Sequence, residues 1–162
     1  MRESRKYWVS SLAFAVLCGA ASVPAAAGES LCAANEPVVF SCHVGAKLVS
    51  LCRPADDRGM LSYRFGRPEA VELSYPEPGR TARAAFTVKS APLVGGGETT
   101  VAFRRGAYTY TVYSKVARGE DGTTPEFEDG IIVSRRGKVI SRMRCEDGGE
   151  GFREPPNAVA VK

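Results

Sequence analysis

The stretch Thr99–Ser114, TTVAFRRGAYTYTVYS, decides the fold. Its apolar and polar residues alternate at period two, the pattern of a strand with one face buried. Val101 and Phe103 point to one face. Arg104 to Ala107 turn the chain, with Gly106 able to take a positive φ. On the return, Tyr108, Tyr110 and Val112 line one face, and Thr109, Thr111 and Tyr113 the other. The stretch predicts a hairpin at the centre of a β domain.

Working outward, the N-terminal side supplies further short strand patterns. Val38–His43 (VVFSCH) and Leu48–Cys52 (LVSLC) form a hairpin across Gly45-Ala46. Pro54 to Gly59 is a turn. Leu61–Phe65, Val71–Tyr75 and Ala82–Val88 are further strands, punctuated by Gly66-Arg67-Pro68, Pro76 and Pro78-Gly79. Pro92 to Gly97 reads as a loop. On the C-terminal side, Arg118 to Asp129 reads as a long polar loop. Ile131–Val133 and Val139–Cys145 then pair around Arg135-Arg136-Gly137-Lys138. The fold class predicted is all-β: a small antiparallel β-barrel or sandwich of about eight strands.

The first residues follow another logic. Arg2, Arg5 and Lys6 precede an apolar run from Val9 to Ala21, and Pro24-Ala25-Ala26-Ala27 offers a cleavage site before Gly28. Residues 1–27 read as a cleaved signal peptide, too short to span a membrane stably. Residues 28–145 form the β domain, and the Gly-, Glu- and Pro-rich residues 146–162 a mobile C-terminal tail. The protein is expected to be exported, periplasmic or secreted. Cleavage lowers the net charge from +4 to +2 by removing three basic residues and one acid. So balanced a domain is not a nucleic-acid binder by composition.

Four cysteines remain after cleavage: Cys32, Cys42, Cys52 and Cys145. In an exported chain an even number reads as disulfides, here two. Parity places Cys42 with Val38 and Phe40, and Cys145 with Val139 and Met143, on apolar faces. Cys52 falls opposite Val49 and Leu51, beside Ser50. The pairing expected is Cys42–Cys145 and Cys32–Cys52, although sequence alone permits three pairings.

Chemistry is sparse. His43 is the single histidine, on the face opposite Cys42. The nucleophile-elbow, zinc-protease and P-loop patterns are absent, so no catalytic residue, metal or cofactor is predicted. The acids Glu120, Asp121, Glu126, Glu128 and Asp129 lack the spacing of a calcium loop. Arg104, Arg105, Lys115 and Arg118 cluster around the central hairpin. Arg135, Arg136, Lys138, Arg142 and Arg144 cluster around the last. Such basic hairpins suit an anionic partner, a glycan or lipid of the envelope.

Phe40-Ser41-Cys42, the Leu48-Val49 strand and the late Cys145 are laid out as in a known family. Arg105-Gly106-Ala107-Tyr108 and Tyr113-Ser114-Lys115 echo its two short motifs. In these features the chain resembles the C-type lysozyme inhibitor family of the bacterial envelope. The resemblance implies a non-enzymatic module whose Ser and Lys side chains enter the lysozyme cleft. This sequence has Arg105 where the family has Ser, Tyr113 where it usually has Trp, and Val116 where it has Gly. The candidate binding residues are Lys115, Arg104, Arg105, Tyr108, Tyr113 and Ser114, with lysozyme or an anionic envelope component as partner.

Overall fold

A computed structural model describes residues 29–55, 61–77, 86–146 and 150–156. The expected signal peptide and residues 82–85 of the expected fifth strand lie outside them. Nine strands are present among the described residues: β1 (Val38–Val44), β2 (Lys47–Cys52), β3 (Ser62–Arg67), β4 (Ala70–Tyr75), β5 (Phe86–Leu93), β6 (Gly96–Arg105), β7 (Tyr108–Arg118), β8 (Pro125–Arg135) and β9 (Lys138–Arg144). They make two antiparallel meanders. Sheet I has the order β1-β2-β3-β4, and sheet II the order β5-β6-β7-β8-β9. Of the two architectures expected, the sandwich is the one formed.

The central hairpin is β6–β7, turned at Gly106-Ala107. Gly106 has φ 61°, the left-handed value that a type II′ hairpin requires at its first central residue. Val101, Phe103, Val112 and Ile131 of sheet II meet Phe40, Cys42, Val49, Leu51 and Tyr63 of sheet I in one core. Phe103 is its hub. Its ring centroid lies 4.8 Å from Tyr63, 4.3 Å from Tyr75, 5.5 Å from Phe86 and 5.0 Å from Tyr110. Burial pushes the Tyr63 phenol far above its ordinary pKa, so it stays neutral through the physiological range.

Both disulfides form as expected. Cys32–Cys52 spans 20 residues and Cys42–Cys145 spans 103. The parity argument for Cys52 also holds, yet Cys52 and Ser50 are fully buried. Residues 29–36 cover that outward face. The Leu31 amide donates to Ser50 Oγ at 3.0 Å, and Ser41 Oγ donates to the Glu29 carbonyl at 2.9 Å. Arg64 clamps the segment, donating to the Leu31 carbonyl at 2.8 Å and forking onto both Glu36 oxygens at 2.5 and 2.9 Å. The Arg64 hydrogen bonds hold the Glu36 carboxyl below the usual carboxylate range, against the opposing effect of burial.

Three strand limits differ from expectation. Residues 92–97 are not a loop: β5 and β6 pair through Pro92↔Gly97, leaving only Val94-Gly95 as the turn. Pro92 is tolerated because β5 is an edge strand, where a missing N–H breaks no ladder. Half of the expected loop 118–129 is strand: β7 runs to Arg118, and β8 pairs with it from Arg118↔Pro125 onward, leaving residues 119–124 as the connection. Glu126 and Glu128 alternate with Phe127, Asp129 and Ile131, so a run of acids concealed a period-two strand. Finally, Val139 does not share a buried face with Met143. A bulge in the β8–β9 register leaves Ile140 unpaired, breaks the parity, and exposes Val139 (51%) and Ile140 (54%).

The chain after β9 crosses to sheet I. The Glu146 amide donates to the His43 carbonyl at 3.0 Å, and the Arg153 amide to the Val39 carbonyl at 2.9 Å. The Phe152 ring packs 5.3 Å from Phe40, and Glu154 lies against Arg53. Over residues 150–156 the expected mobile tail is therefore a docked segment along β1.

Candidate binding surfaces

Sheet II sets every candidate residue, and its register shows which of them meet. The β6–β7 and β8–β9 turns lie side by side at one end of the sheet. Tyr108 pairs with Arg135, and the Arg136 amide donates to the Ala107 carbonyl at 2.9 Å. This joins two basic turns that are thirty residues apart in sequence: Arg104 and Arg105 from one, Arg135, Arg136 and Lys138 from the other. All five side chains are exposed. Arg105 pairs with Glu77 at 2.7 Å. Arg104, Arg135, Arg136 and Lys138 are in no ion pair among the described residues. The Arg135 guanidinium sits 5.6 Å from the Tyr108 ring centroid, a cation–π contact that holds its charge outward. The exposed Val139 and Ile140 adjoin this end on the sheet's edge strand.

The other three candidates sit farther along β7. From Tyr108 to Lys115 is about 23 Å of strand, so the six do not form one cluster. Tyr113 and Lys115 face outward, while Ser114 faces inward with Val112. Tyr113 is nonetheless only 1% exposed. It pairs with Gly130, and its ring lies over that glycine, where a Cβ would meet Tyr113 Oη at 2.9 Å and the Met143 carbonyl at 2.3 Å. The Tyr113 hydroxyl donates to Glu128 Oε1 at 2.8 Å, and Arg142 covers the ring at 5.7 Å. Burial, reinforced by that bond to Glu128, raises the phenol pKa. Tyr113 is a structural residue of the outer face.

Lys115 is half-buried on the open face, with Glu98 and Glu128 as its cross-strand neighbours. It is in no ion pair among the described residues; Glu128 turns to Arg144 at 3.4 Å instead.

Ser114 belongs to a feature that sequence reasoning missed. On the inward face of sheet II, residues in register form rows across β5 to β8. Val88, Val101, Val112 and Ile131 make one core row. The next is Ser90, Thr99, Ser114 and Asp129, and the last is Pro92, Gly97, Val116 and Phe127. The last two rows are walled by residues 150–156 rather than by sheet I, leaving a trough of about 560 Å³. Asp129 is only 6% exposed and accepts the Gly151 amide on Oδ2 at 2.8 Å. The period-two placement of Phe127 and Asp129 was the available signal for it.

His43 is remote from these surfaces, on sheet I with Glu29 at 3.1 Å. The acids of β7–β8 diverge: the Thr124 hydroxyl, then the Thr123 and Thr124 amides, donate to Asp121 and hold its carboxyl far below the usual range, Glu128 faces outward and Asp129 inward. Among the described residues no group of three or more His, Cys, Asp or Glu side chains could hold a metal ion. No helix among them is long and apolar enough to cross a membrane. Comparison with protein-family models, curated proteins and solved structures returns no match to this chain.

Proposed function

We propose that this chain is an exported, non-enzymatic binding module that grips an anionic amphiphile of the bacterial envelope through the basic end of sheet II. The observation that carries the reading is the juxtaposition of the two basic turns. Five exposed cations meet one paired acid there, with Tyr108 between them. Clustered cations raise the local concentration of phosphate- or carboxylate-bearing partners. The exposed Val139 and Ile140 beside them favour an anionic lipid over a plain polyanion, because a lipid can also cover apolar surface. Two disulfides fit an oxidising compartment, where such a partner is met.

The test is retention on immobilised lipopolysaccharide over a salt gradient. At physiological salt the Debye length is about 8 Å, so retention through exposed charges falls steeply as salt rises. Retention indifferent to salt contradicts the reading.

A second reading, inhibition of a C-type lysozyme, is favoured by Lys115, which is in no ion pair among the described residues and lies on the open sheet face. Ser114 points to the opposite face, so Lys115 would act without it. In a cell-wall turbidity assay this reading expects slowed lysis at micromolar protein, lost in Lys115→Ala. Undiminished lysis removes it.

A further inference from the structure

The inward face of sheet II changes character along its length. Two apolar rows meet sheet I: Phe86, Phe103, Tyr110 and Val133, then Val88, Val101, Val112 and Ile131. Beyond them lies a row in which every side chain carries oxygen: Ser90, Thr99, Ser114 and Asp129. Beyond that lies an apolar row: Pro92, Gly97, Val116 and Phe127. Four strands make each row about 14 Å long, and the two rows are about 7 Å apart.

If this overhang were core, the polar row would be sealed and paired internally. It is sealed only in part. Asp129 Oδ2 is satisfied by the Gly151 amide, which fixes the carboxylate, and Ser90 and Thr99 share one hydrogen bond at 3.0 Å. The side chains of the row line an open trough. Phe127 is 66% exposed, two residues before the nearly buried Asp129 on the same face. Gly97 flattens the floor between Pro92 and Val116.

The geometry points to a sugar-binding site: we infer that this trough takes the uncharged pyranose rings of a short glycan. A pyranose has two requirements. Its hydroxyl edge needs neighbouring donors and acceptors together, and its C–H face needs a flat apolar surface. The polar row supplies both hydrogen-bonding roles, since hydroxyls donate and accept while the carboxylate only accepts. The parallel apolar row supplies the surface, with Phe127 as its exposed aromatic plate. A mostly apolar cleft with a few fixed polar groups is the usual form of a small-ligand site. A lysine side chain is a poorer match, because an ammonium donates three hydrogen bonds and accepts none. An anionic ligand is disfavoured by Asp129 and Glu150 on the trough wall. The site is separate from the basic end and stands whether or not that end binds lipid.

Titration of the purified, disulfide-intact protein with chitotetraose and with cellotetraose, followed by amide NMR, tests the inference. A lysine-rich peptide serves as a third probe. At least one sugar is expected to give saturable shifts at Thr99, Ser114, Phe127 and Gly151. Phe127→Ala removes a largely exposed ring, so the fold persists, and sugar affinity should fall about tenfold. Saturable shifts with neither sugar overturn the inference. So do sugar shifts that survive Phe127→Ala unchanged, or shifts at the trough produced by the peptide and not by the sugars.

Discussion

The two sheets are built from the same kind of strand and put to different ends. Sheet I is covered on both faces over β2 and most of β1, although β4 begins exposed. In β2 every residue from Leu48 to Cys52 is buried, inward against sheet II and outward beneath residues 29–36. Both disulfides and the docked segment 150–156 also attach to it. Sheet II has longer strands, an open outer face, and ends that extend past its partner. Sheet I is held on both faces at β1 and β2, and sheet II is held at its middle and left open at its ends. Surface available for a partner is therefore concentrated on sheet II, and stability on the contacts of sheet I.

The largest effect expected from breaking this division is at the long bridge. Replacing Cys42 and Cys145 together by alanine frees a 103-residue separation, which on the chain-entropy model removes about 4–5 kcal/mol. The Cys32 and Cys52 pair, closing 20 residues, should cost less, about 3 kcal/mol. Urea unfolding of both double variants checks the order. Phe103→Ala tests the middle of sheet II in the same assay. It removes the hub of four ring contacts, and a loss of about 3–4 kcal/mol is expected.

A smaller effect belongs to the clamp over sheet I. Glu36 has a depressed folded-state pKa, so its contribution is fully present above the ordinary carboxylate pKa. It is lost as the pH falls through that range and below. Near neutrality Glu36→Gln should lower stability by about 1–2 kcal/mol. The difference from wild type should close progressively in acid. A difference that persists at low pH would show that the carboxylate charge is not what fastens residues 29–36.

Much of the fold was legible in the sequence. Alternation in Val101–Val112 gave the central hairpin, and parity at Cys42, Cys52 and Cys145 gave both disulfides. The misreadings have a shared cause: local composition outweighed pattern. Glycines at 95–97 and acids at 126–129 suggest loops, yet cross-strand partners hold Gly96, Gly97 and residues 126–129 in register. The Val139 error came from the bulge at Ile140, which inserts one residue and leaves no local signature. Alternation puts Tyr113 on the correct face without showing its burial, because its cover is Gly130 and Arg142 from other strands. The basic end was visible only as two separate clusters. Which turns share an end is a property of topology.

Surface substitutions away from the core should leave stability nearly unchanged, within about 0.5 kcal/mol. This makes the basic end the cleanest place to separate the two roles. The decisive measurement is lipopolysaccharide retention of a variant carrying Arg104→Ser, Arg135→Ser, Arg136→Gly and Lys138→Ser, compared with wild type at equal urea midpoint. Loss of retention with the midpoint preserved is the result expected if sheet II binds and sheet I supports. Retention equal to wild type at every salt concentration would contradict that division.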